Sequence, residues 1–160
     1  MRIKPLTIYL AGPISGLSYS AVVDRYKHYV KRFERMGYNV LFPMMGKGYL
    51  RNENEIVPSD YQQPISTNPA IVGRDRWMVH QCDILVADLS CATEVSRGTI
   101  CEISWASLLH KHVLVALGSE RNYDNPHYHA FVLGQADIVF SEMDEVIEYL
   151  LNFSEGLFAL

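Results

Sequence analysis

CDILVADLSCATEVSRGTICEISWASLL, residues 82–109, sets the reading of the whole chain. Ile84-Leu85-Val86-Ala87 is an unbroken apolar run that ends on a carboxylate, Asp88. A short run that is apolar at every position predicts a strand buried on both faces of a sheet, here Ile84 to Asp88. A small-residue loop follows. Gly98-Thr99 then opens an apolar-periodic segment that predicts a helix over 98–110, with Ile100, Ile103, Leu108 and Leu109 toward the core and one acid, Glu102, in its first turn. Strand, polar loop, and helix with an acid near its start is the layout of an α/β site.

Outward toward the N-terminus, Leu6 to Leu10 predicts a first strand that ends in a similar loop, Ala11-Gly12-Pro13-Ile14-Ser15-Gly16. Val22, Val23, Tyr26, Tyr29, Val30 and Phe33 recur at helical spacing and predict a helix over 21–36. Serines at 15, 18 and 20 offer N-caps, and Gly37 stands where a helix stops. Residues 39–42 predict a second strand, closed by Pro43. Residues 44–74 break the pattern with Gly46, Gly48, Pro58, Pro64 and Pro69. They also hold Tyr49, Tyr61 and Ile65, more apolar content than a linker uses. Two accounts fit: a segment folded over the site, or an insertion packed on the surface. Asp75 to Gln81 predicts a short helix. Outward toward the C-terminus, Val113–Leu117 and Ile138–Phe140 predict strands, 126–133 a short helix with proline in its first turn, and 143–153 a closing helix.

Strands alternating with helices predict one α/β domain over residues 1–160. Its expected architecture is a doubly wound, flavodoxin- or Rossmann-like parallel sheet of five strands, order 2-1-3-4-5, with helices on both faces and a loop insertion at 44–74. In that order the crevice opens between strands one and three, at the two loops described above.

Composition removes several classes of function. The net charge is −4 without a Lys/Arg cluster, which disfavours a nucleic-acid polymer as partner. The three cysteines, Cys82, Cys91 and Cys101, are odd in number and lack a CxxC pair, so neither a disulfide framework nor a zinc site is expected. No apolar run approaches the ~20 residues of a membrane span, and the N-terminal run is too short for a signal segment. The expected protein is soluble and cytoplasmic, needing no cofactor and no metal.

Several residues could carry chemistry, and each has a plainer reading. Glu102 fits a capping box with Thr99 as well as it fits a catalytic acid at the crevice. Asp88 could cap its own loop. Asp75, at the start of a short helix, reads first as an N-cap, and so does Ser96, which could also hold a phosphate at a helix N-terminus. Gly12 and Gly16 allow close approach of a ligand, but the loop matches neither GxGxxG nor a P-loop. His127 and His129 lack a third metal ligand at sensible spacing and read as surface or interface histidines.

Ile8-Tyr9-Leu10-Ala11-Gly12-Pro13, Asp83-Ile84-Leu85-Val86-Ala87-Asp88-Leu89 and Ser96-Arg97-Gly98-Thr99 with Glu102 resemble the nucleoside 2-deoxyribosyltransferase superfamily. That group holds transferases that exchange bases between deoxynucleosides and N-glycosidases that hydrolyse nucleoside 5′-monophosphates. The resemblance implies that Glu102 is the nucleophile, that Asp75, eight residues before Asp83, helps protonate the leaving base, and that Tyr9 orients the nucleophile. It implies a phosphate cradle of Ser15 and Gly16 with Ser96 and Gly98, a substrate-binding Asp88, and no metal. Ser96, six residues before Glu102, stands where the transferases resemble one another in an aspartate for the 5′-hydroxyl, which points to the hydrolase branch. The transferases also take an asparagine from a neighbouring subunit near Tyr128 and His129, so at least a homodimer is expected, with the neighbour contributing around His127–His129. The expected activity is hydrolysis of a (deoxy)nucleoside 5′-monophosphate. Base exchange between deoxynucleosides is the alternative, and a non-catalytic nucleotide-binding sensor a second one.

Overall fold

The computed structural model describes residues 4–57, 61–119 and 123–158, with side chains to Ser154. The apolar run at 84–87 is where the sheet is deepest. Strand β3 (Ile84–Asp88) lies between β1 (Thr7–Ala11) and β4 (His112–Ala116), flanked in turn by β2 (Asn39–Leu41) and β5 (Ile138–Phe140). All five strands are parallel, in the order β2-β1-β3-β4-β5 that the alternation of elements predicts. In the central register Tyr9 pairs with Leu85 and Ala11 with Ala87, while Leu85 pairs with Val113.

Alternation along the strands sorts the core into two layers. Ile8, Leu10, Ile84, Val86 and Leu114 pack with Val22, Tyr26 and Phe33 of α1 (Tyr19–Arg35) and with Val146 and Leu150 of α5 (Met143–Phe158). Tyr9, Ala11, Leu85, Ala87, Val113 and Val115 pack on the other face with Met78 and Val79 of α2 (Asn68–Gln81) and Ile103 and Ala106 of α3 (Arg97–Leu108). A fully buried side chain such as Phe33 contributes about 1.5–3 kcal/mol of transfer free energy. This sorting aims Tyr9 at α3.

Helix α1 is set by its ends. Ser18 accepts from the Ala21 N–H at 3.2 Å. At the other end the Gly37 N–H donates to Glu34 and the Tyr38 N–H to Phe33, a Schellman closure with Gly37 at φ +88°.

The segment read as irregular over 44–74 is more ordered than expected. Single 3₁₀ turns form at Gly48–Leu50 and Pro64–Ser66, and α2 begins at Asn68 instead of Asp75. Thr67 caps α2, accepting from Ala70 at 3.4 Å. Pro69 falls in the first turn, where its missing N–H has no intrahelical acceptor to lose. Asp75 is therefore a mid-helix residue and not an N-cap. Met44, Lys47, Leu50 and Ile56 are buried, and the Gly16 and Ile56 N–H groups bond reciprocally to Ile56 and Leu17 carbonyls at 2.8 Å. The segment is thus laced to the loop after β1. Pro58 lies outside the described residues. Helix α4 is Ala130–Leu133, shorter than the expected 126–133, because its cap is His129, whose Nδ1 accepts from Phe131 at 3.3 Å. Among the described residues no helix is long and apolar enough to cross a membrane.

Candidate active site

The loops after β1 and β3 meet at the carboxyl ends of neighbouring strands. Gly12 is the point of contact: a Cβ there would sit 3.1 Å from the Asp88 carbonyl oxygen. That is tighter than an ordinary contact, so a larger residue would fit only if the Asp88 carbonyl gave way slightly. Arg25 of α1 donates to the Pro13 carbonyl, which fixes the outer part of the first loop.

Beneath the loops Tyr9 and Glu102 face each other across the layer between sheet and α3. The Tyr9 hydroxyl donates to Glu102 Oε1 at 2.6 Å, and both side chains are buried. Glu102 is the sixth residue of α3, in its second turn, so neither the expected first-turn position nor the capping box with Thr99 holds. Thr99 is instead the third residue of the helix, sharing a hydroxyl bond with Ser96 Oγ at 2.9 Å. Burial pushes the Glu102 carboxyl up to about 8, the Tyr9 bond opposes this, the charge of Asp75 adds to it, and the cations of Lys47 and Arg74 pull it back. The Tyr9 phenol is held well above its usual value, by burial first and then by the Glu102 charge, so it is the donor of the pair.

Asp75 reaches the same place from α2. It is nearly buried, and Arg74 binds its Oδ1 through Nε at 3.1 Å and Nη2 at 2.8 Å. Arg74 Nη2 also donates to the Pro43 carbonyl at 3.3 Å, tying α2 to the start of the 44–66 segment. That segment supplies Lys47, which is 6% exposed. Burial lowers its pKa, and the Asp75 charge opposes the shift. Two acids and two cations thus converge at the end of β1. Lys47 and Arg74 carry no motif; the one local signal was that Lys47 sits between two glycines and Arg74 beside Asp75.

The other expected ligands divide. Asp88 takes the plainer role, its Oδ1 accepting from the Ser90 hydroxyl at 2.8 Å and the Ser90 N–H at 3.3 Å. Ser96 is the N-cap residue of α3 but makes no side-chain capping bond. Gly98 has open space around it, and Ser15 is exposed. Gly16 has already given its N–H to Ile56, so it offers a ligand no free amide. His127, expected at the surface or an interface, is fully buried within its own chain, so a neighbour cannot receive it. His129 is exposed and caps α4.

The family model for nucleoside 2-deoxyribosyltransferase matches residues 8–150. The chain belongs to this family. Members of the nucleoside 2-deoxyribosyltransferase family are enzymes, and the likeness extends to solved structures on both sides of its chemistry. A CMP N-glycosidase of Clostridium botulinum, BcmB, is 18% identical, with a TM-score of 0.57 over 92% of this chain and 98% of that one. A 2-deoxyribosyltransferase of Bacillus psychrosaccharolyticus is 15% identical, with a TM-score of 0.62 over 89% and 91%. A 2-deoxyribosyltransferase of Leishmania mexicana is 22% identical, with a TM-score of 0.60 over 92% and 98%. At these identities the likeness is one of fold. No protein of curated function matches the chain significantly by sequence.

Proposed function

We propose that this family member hydrolyses the N-glycosidic bond of a (deoxy)nucleoside 5′-monophosphate. The buried Tyr9–Glu102 pair at the switch point, with Asp75 beside it, carries the reading. Breaking a C–N glycosidic bond builds positive charge on the sugar and negative charge on the base. Glu102, ionised, attacks the anomeric carbon; the C–N bond breaks and its electron pair leaves with the base, which Asp75 helps to protonate. Water then attacks the same carbon and passes its proton to Asp75, which gave one to the base; the ester oxygen returns to Glu102 as carboxylate, and the sugar 5-phosphate departs. Tyr9, bonded to Oε1, orients the nucleophile. Lys47 and Arg74 favour the carboxylate form and stabilise charge on the departing base.

Ser96 supports the monophosphate over the nucleoside. A hydroxyl at the start of α3 can donate to a phosphate, where an aspartate would repel it. Exposed Ser15 on the facing loop is the other expected donor. Base exchange between deoxynucleosides is the second reading, favoured by the family's own description. Chromatography of free base released from ribo- and deoxynucleosides and their 5′-monophosphates separates the two. Release from monophosphates without an acceptor base is expected. Faster release from nucleosides than from monophosphates removes the Ser96 argument, and release only with an acceptor gives the transferase. Ser96→Asp is expected to raise KM for the monophosphate through charge repulsion, and an unchanged KM would put the phosphate elsewhere. We also propose a homodimer or larger assembly that buries the exposed Phe131 and His129, and a cytoplasmic location.

A further inference from the structure

Ser96 starts α3, and a side chain from another loop fixes where Ser96 lies. The Ser96 N–H donates to His127 Nε2 at 2.8 Å. An imidazole that accepts through Nε2 carries its proton on Nδ1. That nitrogen lies 3.3 Å from Asn125 Oδ1, which can only accept. The hydrogen-bond pattern therefore selects neutral His127 protonated on Nδ1. Asn125 is fixed in turn. Its Nδ2 donates to the Leu89 carbonyl at 2.7 Å and the Leu117 carbonyl at 2.9 Å, and its Oδ1 also accepts from the His127 N–H at 2.9 Å. Asn125 and His127 thus join the loop after β3, at Leu89 and at Ser96, to the loop after β4, at Leu117. The stretch between Leu89 and Ser96 is largely exposed, with Ser90 bonded to Asp88 and the Ala92 N–H to the Leu89 carbonyl at its start. Buried polar side chains this fully bonded specify one arrangement of the loops around them.

We propose that His127, neutral and protonated on Nδ1, is the positioning residue for the phosphate end of the site: it draws the Ser96 N–H inward and so sets where the next amides of α3 and the Ser96 hydroxyl, which shares a bond with Thr99 Oγ1 at 2.9 Å, stand toward the ligand. This rests on the reading that a 5′-phosphate binds at Ser96. His127 is not a catalytic residue, because its bonds go to Ser96 and Asn125 and none to the acids.

The same bond makes the arrangement sensitive to acid. An imidazolium has no acceptor, so protonated His127 would set an N–H against the Ser96 N–H. Burial lowers the His127 pKa, and no charged group contributes to that shift. The two groups bonded to the ring nitrogens, the Ser96 N–H and Asn125 Oδ1, are uncharged; among the described residues the charged side chains of the loops they join are Asp88, Glu94 and Asp124, with Arg97 next to Ser96. The neutral form, and with it the phosphate grip, is present above the ordinary histidine range and is lost as pH falls below it.

The test measures KM and kcat for a 5′-monophosphate and its nucleoside from pH 5 to 8, using the full chain and its His127→Ala and His127→Gln variants. Loss of the bond in His127→Ala is expected to raise KM for the monophosphate roughly tenfold, with kcat and the nucleoside KM changed far less. Glutamine can accept at the Nε2 position without titrating. His127→Gln is therefore expected to keep the wild-type KM at pH 8 and to abolish the rise in KM that wild type shows in acid. Wild type that prefers the nucleoside sinks the phosphate reading, and this proposal with it, before any variant is made. Wild type that prefers the monophosphate, with a His127→Gln variant as acid-sensitive as wild type, overturns this proposal alone. So does an equal loss with both substrates in a folded His127→Ala. If His127→Ala fails to fold, the glutamine variant decides.

Discussion

A carboxylate meant to attack carbon must shed its proton, and the residues around Glu102 divide over whether it does. Burial and Asp75 keep the proton on, while the Tyr9 hydroxyl, Lys47 and Arg74 favour its loss. The empty enzyme is therefore expected to show an acid limb in kcat/KM near pH 8, below which Glu102 is protonated. Tyr9→Phe deletes a bond that favours the carboxylate, so it raises the Glu102 pKa and moves the limb to higher pH, by about one unit. A pH–rate profile checks this, and an unmoved limb would assign that ionisation to another group. The sequence pointed to Tyr9 and Glu102 through short motifs. It did not show that they touch, because the two lie 93 residues apart and meet only when β1 turns its odd positions toward α3. Lys47 and Arg74 were silent for a related reason. A cation reads as surface until the fold removes its water.

At the scale of elements, ends were legible where local chemistry fixes them. Gly37 at φ +88° closes α1, and Gly37→Ala is expected to lower stability by about 1–2 kcal/mol through strain in a left-handed residue. Chemical denaturation measures it, and a loss below a few tenths would mean that α1 can close another way. Strands β3 and β5 lie where their apolar runs placed them. Helix α2 was misread over its first half. Its buried residues are Asp75, Met78 and Val79, too few to print a stripe, and Pro69 and Gly73 look like breakers. Yet proline is at home in a first turn, and Gly73 stands in open space. Helix α3 has Ser96 as its N-cap, three residues before the Thr99 that a capping box with Glu102 requires, which leaves Glu102 free for chemistry.

For the whole molecule, the site exacts stability. A Glu102 pKa of about 8 in the fold, against 4.5 as a free side chain, means that folding is disfavoured progressively as pH rises from 4.5 toward 8. Glu102→Gln removes that slope while keeping an acceptor for Tyr9. Its melting temperature is expected to exceed that of wild type at pH 8 and to converge with it near pH 5, with turnover abolished. Parallel melting curves for the two proteins across that range would show that Glu102 ionises in the fold as it does in water. The sequence by itself determined the fold class, the sheet order and the two loops of the crevice. Those follow from apolar periodicity, chain alternation and the handedness of crossovers, which are properties of neighbours along the chain. The tertiary structure alone decided that Glu102 is a buried acid bonded to Tyr9, that Lys47 and Arg74 share its site, and that His127 is an interior bond acceptor for Ser96. Burial and partner choice for polar groups depend on which distant segments remove the water around them, and no local pattern records that.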